Sequence, residues 1–147
     1  MERVNTASFE AKDLSSIVAV GSITPDVDAL MNVRVDLGKT GGLLNGAAAN
    51  ITVVAKITRD EEEVETYDAT FAKRVDADTR MSIVVDVPIV VQATEKLEIF
   101  VLSSNASDSD VDGDVIFINE NMGLFDAAIT SAVQKLTGLM SLFNISN

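Results

Sequence analysis

The alternation of apolar and polar residues constrains this chain more than any other feature. Between residues 31 and 37, Met31, Val33, Val35 and Leu37 are apolar and the residues between them are polar. A period of two is the repeat of a pleated strand, so one face of this segment should lie in a core and the other in solvent. The pattern predicts a half-buried strand of an antiparallel sheet.

Strand-like segments recur along the chain with turn residues between them. They cover residues 16–20, 31–37, 50–58, 64–72, 80–91, 97–102 and 115–118. We expect Gly21 to close the first and the charged tip at 59–63 to join the third and fourth into a hairpin. Pro88 should interrupt the fifth, which is then either an edge strand or a strand that bends between two sheets. The sequence therefore predicts a mainly β fold: an antiparallel β-sandwich or jelly roll of about seven strands, with one C-terminal α-helix. The expected domains are an extended or loosely attached arm at 1–13, a β-sandwich at 14–120 and an apolar helix at 121–147.

Residues 96–119 carry the strongest strand signal and are predicted to form one hairpin around a polar loop. That loop contains the first half of a calcium-binding motif. Asp108, Asp110 and Asp112 fall on alternate residues, Gly113 follows, and Asp114 is next to it. Calcium needs oxygen ligands at this spacing and a glycine where the loop turns back.

Two interpretations of the loop remain open. The twelfth motif position is Asn119 where a bidentate Glu is expected, and strands rather than helices flank the loop. An acidic hairpin tip with Asp112 and Gly113 in its turn is the favoured interpretation. The alternative is a calcium-dependent binding module for a glycan or protein ligand.

The C-terminal segment has helical rather than strand periodicity. Its large apolar residues recur at steps of four and three, which is the a/d seam of a coiled coil. The predicted interface residues are Phe125, Ile129, Val133, Leu136, Leu139, Met140 and Phe143. Because Asp126 and Lys135 are the only charged residues of this helix, something must cover its apolar surface.

Three environments could cover the apolar surface of this helix. It could pack on its own β-domain, bundle with copies of itself or dock into a partner, or insert into a membrane. Gln134 and Lys135 lie in the middle of the segment and no aromatic belt brackets it, which argues against a membrane. Packing in cis and association in trans both stay open.

Composition excludes several functional classes. The chain has no histidine and no cysteine, which removes disulfides, thiolate nucleophiles, Cys/His zinc sites and histidine acid–base catalysis. A formal net charge of −12 argues against binding to nucleic acid. The polar N-terminus has no secretory signal pattern, so synthesis in the cytoplasm is expected. No catalytic residue and no cofactor is predicted, apart from the calcium alternative.

Three stretches carry a resemblance to a known group of proteins. They are residues 43–49 (LLNGAAA), 50–56 (NITVVAK) and 86–105, which runs from DVPIVVQA to LEIFVLSSN. Together they resemble β-sandwich modules of tailed-bacteriophage virion proteins, which occur in head decoration, head-fibre and tail or baseplate adaptor proteins, often as trimers. The resemblance covers roughly residues 30–119 and implies a structural role on a virion, with no catalytic residues to carry over.

The sequence thus predicts a non-enzymatic assembly protein. Its expected partners are further copies of itself, with a trimer favoured, and other virion proteins. Its expected location is the virion after synthesis in a host cytoplasm, with the cytoplasm itself as the alternative.

Overall fold

The computed structural model describes residues 4–38, 49–74, 80–85 and 87–120. These residues form ten β-strands and no helix. The strands are β1 (Val4–Lys12), β2 (Val18–Ile23), β3 (Ala29–Leu37), β4 (Ala49–Arg59), β5 (Glu62–Thr66), β6 (Thr70–Arg74), β7 (Met81–Val84), β8 (Ile89–Val91), β9 (Lys96–Ser103) and β10 (Val111–Asn119). The prediction of a mainly β, antiparallel fold is confirmed, and the predicted helix at 121–147 lies outside the described residues.

The strands divide into two five-stranded antiparallel sheets. Sheet A has the order β1-β10-β3-β7, and β8 also pairs with β3. Sheet B has the order β2-β9-β4-β5, and β6 also pairs with β4. The inner side chains of both sheets belong to one hydrophobic core, which includes Val33, Val35 and Phe117 of sheet A and Ile51, Val53 and Ile99 of sheet B.

Strand β3 has the predicted alternation. Met31, Val33, Val35 and Leu37 are buried, while Arg34 between them is exposed. Strand β3 pairs with β10 on one side and with β7 and β8 on the other, so it lies inside sheet A. The apolar positions of period two therefore do mark the core face, as the pleat requires.

The predicted hairpin at 96–119 is wrong, although both of its strands exist. Strand β9 lies in sheet B between β2 and β4, whereas β10 lies in sheet A between β1 and β3. The segment from Ser104 to Asp110 therefore crosses from one sheet to the other. Local alternation identifies a strand but not its partner, because pairing depends on residues far away in the sequence.

Three details explain why ten strands replace about seven. The predicted strand at 64–72 is interrupted near Tyr67, and its halves β5 and β6 pair with different parts of β4. The strand at 80–91 divides into β7 and β8 around Pro88, and both lie at the edge beside β3, which is the first of the two predicted alternatives. The segment expected to be an arm forms β1, an edge strand against β10.

The β4–β5 hairpin confirms the predicted turn at the charged tip. Asp60 and Glu61 form its two-residue loop with φ values of 55° and 67°. Positive φ at both positions belongs to the turn type whose twist suits a hairpin.

Gly21 does not end the first predicted strand, because β2 continues to Ile23. The register of β2 against β9 shifts between Ala19 and Gly21, which marks a bulge. A Cβ atom at Gly21 would lie 3.0 Å from Cγ2 of Val115 and 3.2 Å from Cβ of Ala7 in sheet A. A glycine here thus allows the two sheets to approach closely.

Candidate functional site

The crossing between the sheets is held by a buried ion pair. The side chain of Asp108 is fully buried, and its Oδ2 lies 3.2 Å from Nη1 of Arg74 at the end of β6. The same oxygen accepts a hydrogen bond of 2.6 Å from the hydroxyl of Ser103. These contacts join β6, β9 and the crossing segment, so Asp108 is built into the interior of the fold.

Backbone hydrogen bonds fix the same segment from the other side. The amide of Leu14 donates to the Asp108 carbonyl at 2.8 Å, and the amide of Ser103 donates to the Leu14 carbonyl at 2.6 Å. The amide of Asp108 in turn donates to the carbonyl of Asn105 at 3.0 Å. The chain before β2 is thus tied to the start and end of the crossing.

Arg74 was missed by the sequence reasoning, which ended the predicted strand at residue 72. Its side chain is 1% exposed, and its Nε and Nη2 have no hydrogen-bond partner among the described residues. Burying a charged pair costs desolvation energy and contributes little net stability, but a broken pair leaves an uncompensated charge. The available signal was the alternation in β6, which directs Thr70 and Arg74 to the same face.

The four aspartates of the predicted calcium motif are not brought together. Asp108 faces the interior, whereas Asp110 is exposed before β10 begins. Asp112 accepts a hydrogen bond from the amide of Ala11 at 3.0 Å, and Asp114 accepts one from the Ser8 hydroxyl at 2.6 Å. No group of three or more acidic side chains within 4–38, 49–74, 80–85 and 87–120 is arranged to hold a metal ion.

The expected turn at Asp112 and Gly113 is also wrong, because both residues lie in β10. A Cβ atom at Gly113 would lie 2.3 Å from the Asp36 carbonyl oxygen and 2.5 Å from the Phe9 ring. A glycine at position 113 is therefore explained by the Phe9 ring of the adjacent edge strand β1, which occupies the space where a side chain would lie.

The last described residue, Glu120, is held by two hydrogen bonds to β3. The amide of Glu120 donates to the Leu30 carbonyl at 2.7 Å, and the Asn32 side-chain amide donates to a Glu120 carboxylate oxygen at 2.5 Å. Glu120 thus follows directly after β10, which is flanked by β1 and β3. The predicted interface residues Phe125, Ile129, Val133, Leu136, Leu139, Met140 and Phe143 lie outside the described residues.

The outer face of sheet B has an apolar area, which we call the sheet B patch. The strand register places its side chains in two adjacent rows across the sheet. One row is Leu102, Thr52 and Phe71, and the other is Ala19, Phe100 and Val54. Phe71 is 73% exposed, and the other five side chains of the two rows are half-buried. It is the continuity of these apolar side chains, rather than the exposure of any one of them, that is typical of an interaction surface.

A cleft of about 440 Å³ lies near the point where the described chain ends. Its lining includes Ile23, Met31, Val27 and Asn119, with Asp26 as its ionisable residue.

Comparison with protein-family models, with curated proteins and with solved structures finds no match to this chain. Among the described residues, no helix is long and apolar enough to cross a lipid bilayer.

Proposed function

We propose that this chain is a non-enzymatic assembly protein whose C-terminal helix holds copies together or docks them on a larger particle. The two sheets form a β-sandwich, with the helix as an appendage at the end of β10. A virion component, such as a capsid decoration, head-fibre or tail adaptor protein, is the class we propose, with a trimer as the favoured state.

The placement of Glu120 carries this proposal. The chain leaves the β-domain from β10, which hydrogen-bonds to β1 and β3 and contributes Val115 and Phe117 to the core. The following segment is therefore attached to a strand that is hydrogen-bonded on both sides, and not to the edge of a sheet. Together with the a/d seam of the apolar residues from Phe125 to Phe143, this supports attachment as the role of the segment.

The virion assignment rests on the resemblance of residues 30–119 and on the general design of the chain. A well-packed β-domain with an apolar extension is suited to repetitive assembly, and the charge of −12 keeps the free protein soluble. No arrangement of the described residues favours the calcium-dependent module, since Asp108 is engaged with Arg74.

The test is the solution mass of the full chain by light scattering. We expect a defined oligomer, and Leu136→Asp should convert it to a monomer because a charge would be buried in the seam. Gln134→Asp is the matched control: it adds the same charge two residues earlier, on the side of the predicted helix away from the interface residues, and should keep the oligomer. Near-ultraviolet circular dichroism should show an intact β-domain in both variants.

A monomeric full chain would contradict the association of copies and the favoured trimer. The proposal fails if the Leu136→Asp variant keeps the oligomeric mass.

A further inference from the structure

We propose that the sheet B patch is the docking site for residues 121–147 of a second copy of the chain. The inference rests on the proposed function and adds the surface that receives the helix. Each copy then donates one segment and accepts one, and the contact buries Phe71.

The patch is apolar in its centre and carries lysines at its ends. Lys73 follows Phe71 on the same face of β6, and Lys56 follows Val54 on the same face of β4. The Lys56 ammonium lies 5.0 Å from the centre of the Phe100 ring, and Lys96 is 3.6 Å from Glu98. Three of the four described lysines therefore lie on this face of a strongly acidic protein, which lowers the repulsion between copies at this contact.

The size of the patch suits one helix. Four neighbouring strands at about 4.8 Å spacing make the two apolar rows about 15 Å wide, and the face from Asn50 to Lys56, which includes the polar ends beyond these rows, is about 20 Å long. A helix with side chains is about 10 Å wide, and the seam from Phe125 to Phe143 would be about 27 Å long. One helix would therefore cover the patch along its length, whereas the patch alone is small for a stable interface between two rigid domains.

The position of Glu120, after which residues 121–147 follow, indicates that the helix on the patch comes from another copy rather than from the same chain. Glu120 lies at the end of sheet A, and the outer face of sheet B points away from sheet A because both inner faces share one core. A helix on that face would lie about 20 Å from sheet A, counting about 10 Å between the sheets and about 10 Å for the helix. Residues 121–124, which precede the seam, span at most about 14 Å. The seam of the same chain therefore falls short of the sheet B patch, and a neighbouring copy has to supply it.

This exchange has a consequence for symmetry. The donated segment and the accepting patch are different surfaces, so the contact is heterologous. Such contacts close into rings when the rotation between copies permits, and a ring of three is consistent with the trimer favoured above.

The first test compares two lysine substitutions at exposed residues on opposite sheets. Phe71→Lys places a charge in the sheet B patch, whereas Val84→Lys places the same charge on β7 of sheet A, where Val84 is 61% exposed. At about 0.3 M sodium chloride, where the repulsion between copies is screened, Phe71→Lys should weaken association at least about thirtyfold, as expected for a central aromatic contact, and Val84→Lys should leave it unchanged. Phe71→Ser serves as a second variant and should act in the same direction.

The second test mixes two full-length chains that are each defective in a different partner surface. The Phe71→Lys chain keeps its C-terminal segment, and the Leu136→Asp chain keeps its patch. Each alone should be monomeric, and a mixture should form a one-to-one heterodimer by light scattering.

The outcomes separate the two proposals. If Leu136→Asp dissociates the oligomer but Phe71→Lys keeps it, the helices associate elsewhere. In that case only the proposed docking site on sheet B is wrong. Failure of the mixture to form a heterodimer also contradicts the proposed docking site on sheet B. If Leu136→Asp itself keeps the oligomer, the proposed function is wrong.

Discussion

At the scale of single residues, Asp108 illustrates what a sequence pattern conceals. Its spacing from Asp110 and Asp112 suggested a ligand, but its carboxylate pairs with Arg74, which is 34 positions away in the chain. Local spacing carries no information about such a partner. The buried positions of β3, by contrast, were predictable because they depend only on the pleat.

The ion pair makes a prediction about stability. Asp108→Ala should lower the free energy of unfolding by about 3–5 kcal/mol, because the Arg74 guanidinium would remain buried without a counter-charge. Urea unfolding followed by circular dichroism measures the change. Asp110→Ala is the matched control and should shift the free energy by less than about 0.5 kcal/mol, since Asp110 is exposed.

A double variant tests the cause. Replacing both partners with apolar residues, as in Arg74→Met with Asp108→Leu, should recover most of the lost stability. If the Asp108→Ala and Asp110→Ala variants unfold at the same urea concentration, the ion pair has no structural role.

At the scale of elements, the strands were easier to predict than their partners. The turn at Asp60 and Glu61 and the interruption at Pro88 follow from local chemistry, and both were found as expected. The assignment of β9 and β10 to different sheets does not follow from local chemistry, because it requires the long-range pairing of β10 with β1 and β3. The same limit hid the patch on sheet B, whose rows join residues from four strands.

Tyr67 reports on the contact between two such elements. It follows β5 in sheet B, and its hydroxyl oxygen accepts a hydrogen bond of 3.1 Å from the amide of Val90 in β8 of sheet A. Burial raises the pKa of Tyr67 above its ordinary value of 10.0, and the charges of Glu65 and Glu95 raise it further, against the lowering effect of the Val90 amide. The neutral phenol is therefore favoured in the folded protein.

This gives a prediction that absorbance can check, because Tyr67 is the only tyrosine in the chain. The phenolate absorbance near 295 nm should rise with a midpoint above pH 10 in the folded protein and near pH 10 in denaturant. The stability that depends on the neutral phenol is fully present below pH 10 and is lost as the pH rises through the folded pKa. Equal midpoints in the folded and denatured protein would contradict the burial of this side chain.

At the scale of the whole molecule, two properties oppose each other. The charge of −12 makes copies repel, whereas the proposed contact joins an apolar helix to an apolar patch. Charges at separations beyond about 10 Å are largely screened at 0.1 M salt, but burial of apolar surface is not weakened by screening. The balance between the two should therefore depend on ionic strength.

We expect association to strengthen as sodium chloride is raised from about 0.02 M to about 0.3 M, where the Debye length shortens severalfold. Sedimentation velocity at fixed protein concentration measures the fraction of oligomer across this range. The Val84→Lys variant, which is less acidic and keeps the patch, should associate more strongly than the parent chain at low salt and equally at high salt, because only the repulsion differs. If salt instead dissociates the oligomer, ion pairs rather than apolar burial hold the copies together, and the lysines at the ends of the patch, not Phe71, are its principal contacts.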